Sequence, residues 1–292
     1  MELISYKSNE IVMGEFYTTK IIIQQDCTLY DEDGSLVFCF LKNVLPSELY
    51  DFDEKIVKVS KTDSANRGNA AGKVTIEGLQ VRKEHWKRFP AELCNSKGED
   101  LKKETSSAFF KYHDGTLSKR ARSNTVRSVA IGGFDKSPQH PCRLTFHTKK
   151  MIEEYPSVFP ICKKICEIYQ DKFPEYYDRQ LDSYRDCPCD FVIPNSVFST
   201  ITLNHDFRTA THEDKGDFKK GLTCFAVKKC GEYSGGELCF PEYQMGVDVE
   251  EGDLLIFNPH IAHCNNPLSG EGRLSMVFYL REKMHLCPSN KD

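Results

Sequence analysis

Long apolar runs are missing from this sequence: nowhere do its 292 residues approach the roughly 20 consecutive apolar positions of a membrane helix. The start, Met1-Glu2-Leu3-Ile4, also lacks a basic region followed by an apolar stretch, which argues against a secretory leader. The expectation is an intracellular protein of nucleus or cytoplasm, neither membrane-bound nor secreted. A disulfide framework is missing too. The thirteen cysteines are odd in number and unevenly spaced in a chain far longer than a disulfide-stapled miniprotein, so reduced, buried thiols are expected. Cys162 and Cys166, at i, i+4, and Cys187-Pro188-Cys189 offer four sulfurs for a structural zinc, but at no recognised zinc-module spacing.

Net charge is low, −4, yet it is unevenly spread. From Val81 to Lys150 sixteen Lys and Arg stand against seven Asp and Glu, which is +9 and leaves −13 for the remainder. A basic segment in an acidic chain can meet phosphates locally. Most charge runs are simply solvated faces. The 39 % hydrophobic and 28 % charged residues are those of a globular protein able to bury a core.

Along the chain, Glu15-Phe16-Tyr17, Ile21-Ile22-Ile23 and Leu36 to Leu41 read as short strands, with Asp33-Gly34 favouring a hairpin before the last. Pro46 sits where a helix can begin, with Leu45, Leu49, Phe52 and Ile56 at helical spacing. Asn66 to Gly72 is a loop by composition, either plain connection or substrate-facing. Residues 95–126 are polar, with Lys119-Arg120-Ala121-Arg122 towards the end, and suggest a mobile insertion or a phosphate-contacting arm. Ser128 to Phe134 and Cys142 to Phe146 are strand-like. Met151 to about Phe173 is the clearest helix, though Pro156 and Pro160 must break or restart it. From Ser199 onward six or so strands separated by turn residues, with no long helix, imply an antiparallel sandwich or jelly roll. The expected class is α+β, a double-stranded β-helix (jelly roll, cupin-like) buttressed by helices. Residues 1–60 read as N-terminal strands and a lead-in helix, and 61–292 as the main domain, continuous with it and carrying a basic insertion at about 95–126.

The chemistry concentrates after Ser199. The alternating run Ser199 to Asn204 leads towards His212-Glu213-Asp214. In extended chain, residues i and i+2 share a face, so His212 and Asp214 can offer a nitrogen and an oxygen to one point. A third ligand should come from a distant strand. After Gly252 to Phe257 come His260 and His263, and ten residues beyond His263 stands Arg273, opening the strand to Leu280. Two His and one carboxylate on one side of a metal leave open positions and suit iron(II). An Arg entering an apolar strand calls for a buried anionic partner.

This set of His-x-Asp, a Gly235-Gly236-Glu237-Leu238 turn, a distal His and then an Arg resembles the iron(II)- and 2-oxoglutarate-dependent dioxygenases. Within them it looks most like the J-binding-protein and TET branch, on Asn204 to Asp217, Gly231 to Tyr243 and Arg273 to Lys283; Ala65 to Gly72 and Ser128 to Thr148 add weaker likeness. The resemblance implies His212, Asp214 and His263 as metal ligands and catalytic centre, with His260 the alternative distal ligand. It implies Arg273 for the far carboxylate of 2-oxoglutarate, with Arg208 and Asn204 as weaker cosubstrate contacts. Gly235, Gly236 and Glu237 are read as turn geometry. Iron(II), 2-oxoglutarate and oxygen would be the cofactors. The implied substrate is the methyl group of thymine or 5-methylcytosine in nucleic acid. A prolyl-type hydroxylase of protein side chains and a non-catalytic jelly-roll binding module are the alternatives.

Overall fold

The strand Thr223–Lys229 shows how the sheets are built. Phe225 and Val227 point to one face and Cys224 and Ala226 to the other, and all four are buried. A strand covered on both faces needs no polar alternation. The structure, a computed structural model, describes residues 2–5, 11–79, 89–137 and 140–288. Part of the basic segment, residues 81–88 and 138–139, lies outside them.

Thr223–Lys229 sits in a ten-stranded sheet in the order Glu2–Ser5, Cys27–Asp31, Leu36–Leu41, Leu254–Phe257, Thr223–Lys229, Arg273–Tyr279, Thr200–His205, Val126–Phe134, Asp63–Ser64, with Arg143–Leu144 beside Val126–Phe134. Its pairings are antiparallel except that of Glu2–Ser5 with Cys27–Asp31. A smaller sheet runs Cys264–Asn265, Leu238–Phe240, Met245–Val247, Ile21–Ile23. The two face each other over a core that includes Phe38, Phe225, Phe257, Leu238, Phe240 and Val247. Phe38 stacks on Phe240 at 5.0 Å between ring centroids. This is the jelly roll, and the fold class is α+β.

The opposite face of the large sheet is covered by helices. Phe159–Lys172 lays Ile161, Ile165 and Tyr169 on Ile201, Cys224, Ile256 and Phe278. Each such isoleucine contributes roughly 1.5–3 kcal/mol by leaving water. Pro160 lies in the first turn of this helix, where its missing N–H is harmless, so the chain restarts there after a 3-10 turn at Tyr155–Val158. A second helix, Pro174–Arg185, follows at once. The lead-in helix begins later than Pro46: Asp53 caps Glu54–Ser60 by accepting from the Lys55 N–H at 2.8 Å, and only a 3-10 turn, Ser47–Tyr50, precedes it.

Three expectations need correction. Glu15-Phe16-Tyr17 forms no strand; its carbonyls serve the segment ahead of the site, with the Thr211 N–H donating to Glu15 O at 2.8 Å and Arg208 to Tyr17 O. After the two-residue strand Arg143–Leu144, Phe146 starts a short helix capped by Thr145. Not all cysteines are reduced: Cys142 and Cys287, 145 positions apart, form a disulfide, and the other eleven are free. No spacing rule reaches across that separation. Cys162 and Cys166 are buried in the helix–sheet core, and among the described residues neither they nor Cys187 and Cys189 form a metal-ligating cluster.

Residues 90–126 are folded around a strand pair, Pro90–Cys94 with Phe109–Tyr112, and a small core of Val74, Leu79, Ala108 and Phe110. Among the described residues no helix is long and apolar enough to cross a membrane.

Candidate active site

The Thr200–His205 strand ends where Asp206 takes φ +50°, a left-handed turn that aims its carboxylate back. Its Oδ1 accepts from the N–H groups of Gly272 (2.7 Å) and Arg273 (2.8 Å), and its own N–H donates to Arg273 O. The end of one strand is thereby fastened to the start of the Arg273–Tyr279 strand. Further along, the Ala210 N–H donates to Ala70 O, and the Thr209 hydroxyl bonds Asn265 Oδ1 at 2.6 Å. The chain then meets the segment after Phe257 in an isolated antiparallel bridge, His212 N–H to His263 O and His263 N–H to His212 O at 3.0 and 2.9 Å. His212 and Asp214 therefore lie beyond the strand, on a two-residue contact.

That bridge sets the two imidazoles 4.4 Å apart between centroids. Each Nδ1 lies 2.8–2.9 Å from a carbonyl two residues back, Ala210 O for His212 and Ile261 O for His263. With Nδ1–H donating there, each Nε2 presents its lone pair to the common centre. Asp214 completes the face, its Oδ1 3.8 Å from His212 Nε2 and its Oδ2 3.5 Å from His263 Nε2. One ligand atom from each residue lies within 4.8 Å of the others, and among the described residues this is the only cluster of metal-ligating side chains. His260 stands outside it, with a buried Nε2 that has no partner among the described residues.

The electrostatics suit a cation. Burial, reinforced by His263, pulls His212 down to about 4, so its ring is neutral. Burial alone would raise the Asp214 carboxyl, but hydrogen bonding from His263 and the nearby His212 and Arg67 hold it well below the usual range. Burial would lower His263, but its hydrogen bond to Asp214 and that carboxylate's charge raise it instead, so a metal would displace the proton the two share. Imidazole nitrogen and carboxylate oxygen are the donor set that iron(II) takes.

A cavity of about 380 Å³ opens beside the triad. Along Arg273–Tyr279 the residues alternate in facing, and Ser275, Val277 and Tyr279 line it. Arg273 shares their face at the strand's first position and is buried, with its guanidinium carbon 5.7 Å over the Phe225 ring. Among the described residues its side chain has no ion pair or hydrogen bond, and burial lowers its pKa. A buried guanidinium without an anion is the partner a carboxylate needs. Gly236 makes room for it. At φ +81° a Cβ there would sit 3.1 Å from Arg273 Cδ and Nε. The Gly-Gly turn is therefore both backbone geometry and space for the arginine stem.

The other expected cosubstrate contacts are placed differently. Asn204 lines the cavity, with its side-chain oxygen bonded to the Ser128 hydroxyl. Arg208 does not line it. Its guanidinium donates to Asn265 O, Tyr17 O and Thr18 Oγ1 and lies over the Phe16 ring, so it rivets residues 16–18 to the site's flank. Asn66, Arg67 and Asn69, from the loop read as either plain connection or substrate-facing, line the cavity, and Thr202, Asp217 and Arg281, not singled out from the sequence, complete the wall. Tyr279 and Arg281 follow by period-two extension of the Arg273 strand. For Arg67 the signal was only that of its loop as a whole, not of the residue. Arg281 is held by Asp135, Nε to Oδ1 at 2.6 Å.

Comparison with known proteins gives one assignment of family and one of fold. The Tet_JBP model, described as the oxygenase domain of the 2OGFeDO superfamily, matches residues 130–282. Thymine dioxygenase JBP1 of Trypanosoma brucei brucei is 38% identical over 146 residues, 48% of this chain and 17% of that protein. JBP1 of Crithidia fasciculata is 33% identical over 189 residues, 58% and 23% respectively, and JBP1 of Leishmania tarentolae 37% over 184 residues, 56% and 22%. The matched region spans about a fifth of these relatives. Among solved structures, NgTET1 in complex with 5mC DNA superposes with a TM-score of 0.57 at 14% identity, covering 99% of this chain and 86% of that one, which shows a shared fold.

Proposed function

Because this chain belongs to the Tet_JBP family of 2-oxoglutarate- and iron(II)-dependent dioxygenases, we propose that it hydroxylates the methyl group of thymine or 5-methylcytosine in nucleic acid. Iron(II), 2-oxoglutarate and oxygen are the cofactors of this superfamily. The observation that carries the reading is a two-His, one-carboxylate face on a cavity, together with a buried arginine that has no ion pair among the described residues and opens the strand whose Ser275, Val277 and Tyr279 line that cavity. Together the bound metal, keto acid and oxygen supply a two-electron oxidation, in which a methyl C–H becomes C–OH as 2-oxoglutarate and oxygen become succinate and carbon dioxide.

The chain's own residues would do the rest. His212, Asp214 and His263 would hold the metal and leave the cavity side open. Arg273 would take the far carboxylate of 2-oxoglutarate in a two-point pair. The cavity lies in the volume range of small-molecule sites, and a base would leave its stack to enter it. Support for the nucleic-acid substrate comes from the 33–38% identity to thymine dioxygenases over the matched region. We also treat residues 1–60 as continuous with the 61–292 oxygenase domain, since Leu36, Leu45 and Ile56 share one core with Ile201 and Phe278. Eleven free thiols accord with action inside the cell, in nucleus or cytoplasm.

The test is nucleoside mass spectrometry after incubation with iron(II), 2-oxoglutarate and DNA or RNA containing thymine and 5-methylcytosine. A gain of one oxygen on a methylated base is expected. No change in any base, with turnover on a protein substrate, would replace this reading with the prolyl-type hydroxylase.

A further inference from the structure

The end of the basic segment has no task in the chemistry above, yet it begins at the cavity wall. Arg281 lines the cavity, and its guanidinium carbon lies 4.8 Å over the Phe134 ring. Arg143, the partner of Phe134 in the strand register, lies over the same ring at 5.7 Å. Three residues on, Phe146 opens the short helix Phe146–Lys150 and is 64 % exposed, more than any other phenylalanine among the described residues. The Lys150 ammonium sits 4.4 Å over its ring. From the cavity wall the surface therefore continues outward as a strip of aromatic rings and cations.

Charge along the strip is uncompensated. Between Phe134 and Lys150 four cations, Lys136, Arg143, Lys149 and Lys150, stand against one acid, Asp135. That acid is already engaged, by Arg281 Nε at 2.6 Å and by the Lys283 N–H at 3.3 Å. Among the described residues none of the four cations has an ion pair. The strip is also fixed to the sheet. The Thr145 N–H donates to Gly132 O at 2.9 Å, the Gly132 N–H donates to the Thr148 hydroxyl at 2.7 Å, and Cys142 is bonded to Cys287. Solvated lysines are common on surfaces, but these are held around an exposed ring beside the cavity. A partner landing there meets a surface that loses little entropy on being covered.

Rings and cations together select the partner. An acidic peptide would match the charge and leave Phe146 unused, whereas a nucleic-acid strand brings phosphates for the cations and a base face for the ring. We propose that Phe134–Lys150 is the surface that holds the strand flanking the nucleotide in the cavity, with Phe146 stacking on a flanking base and Arg143, Lys149 and Lys150 meeting its phosphates. This deepens the base-methyl reading and rests on it.

The test uses the full chain and a labelled single strand with one central thymine among adenines. Fluorescence anisotropy gives the affinity at salt concentrations between about 50 and 200 mM, and the slope of log affinity against log salt counts the phosphates neutralised. Joint replacement Arg143→Gln, Lys149→Gln and Lys150→Gln should reduce the magnitude of that slope by about 2, and Lys149→Gln alone by about 0.7. Phe146→Ala should weaken binding about 5-fold or more and leave the slope as it is, the mark of a lost stacking contact. The control removes three lysines from the helix Phe159–Lys172, Lys163→Gln, Lys164→Gln and Lys172→Gln, and should keep the wild-type slope. Should the triple variant fail to melt cooperatively, the single variants at these exposed positions carry the test. Strand binding whose slope is unchanged in the folded variants overturns the proposal and leaves the base-methyl reading standing, as does equal displacement of the strand by polyglutamate. A wild type that binds no strand and oxidises no base overturns both.

Discussion

Replacing Arg273 by Met separates what this residue does for the reaction from what it does to the fold. The methionine matches the buried stem that Gly236 accommodates and removes a cation that, among the described residues, has no partner. Exchanging buried ionic groups for apolar ones of similar volume is often stabilising by about 1–4 kcal/mol. Taking about 2 kcal/mol, and roughly 2–4 °C of Tm per kcal/mol for a domain of this size, the ligand-free variant should melt roughly 4–8 °C above wild type. With 2-oxoglutarate the order changes. A ligand at about 100 times its Kd stabilises the native state by about 2.7 kcal/mol, so wild type should gain a comparable rise while the variant gains none. Arg273→Lys lies between, keeping charge and losing the two-point pair, with an expected rise in KM for 2-oxoglutarate of about 10-fold or more. Differential scanning calorimetry with and without 2-oxoglutarate reads the melting shifts, and steady-state turnover against 2-oxoglutarate reads KM. A methionine variant that melts below wild type and is still stabilised by 2-oxoglutarate would refute both the unpaired-cation argument and the assignment of Arg273.

Other expected outcomes follow from the same geometry. Anaerobic iron(II) and 2-oxoglutarate should give a weak visible charge-transfer band that His212→Ala, Asp214→Ala or His263→Ala each abolish, and that His260→Ala retains; loss in His260→Ala alone would move the distal ligand. Asp206→Ala removes two backbone hydrogen bonds at the start of the Arg273 strand and should destabilise by about 2–3 kcal/mol in urea unfolding; a change under about 0.5 kcal/mol would show that the strand start needs no such cap. Ile165→Ala empties part of the helix–sheet core and should cost about 2–5 kcal/mol in the same assay. Reduction, or Cys142→Ser, should lower stability by about 2–4 kcal/mol through the freed chain between positions 142 and 287. Equal melting with and without reductant would show that the disulfide does not stabilise the fold.

Much of the site could be read from the sequence because its signals are local. The two-residue spacing of His212 and Asp214 lets both face one point, and the isolated bridge to His263 keeps it so, whereas the ten-residue interval from His263 to Arg273 was legible only through the family resemblance. The same period leads from Arg273 through Ser275 and Val277 to Tyr279 and the cavity wall. The jelly roll was legible from short apolar runs parted by turns. Arg208 was not, because adjacency in sequence says nothing about which carbonyls a long side chain will reach, and Tyr17 and Asn265 took it.

By itself the sequence determined the period-two strands, the glycines of the 235–236 turn and the order of the candidate ligands, since these depend on backbone sterics and burial within a few residues. Only the tertiary structure decided that Glu15-Phe16-Tyr17 would edge the site without becoming a strand. It also joined Cys142 to Cys287 and brought Arg67 across 147 positions to face Asp214. The physical reason is that such contacts arise from closing one sheet over another, and loop closure over that length leaves no mark in the spacing of the residues it joins.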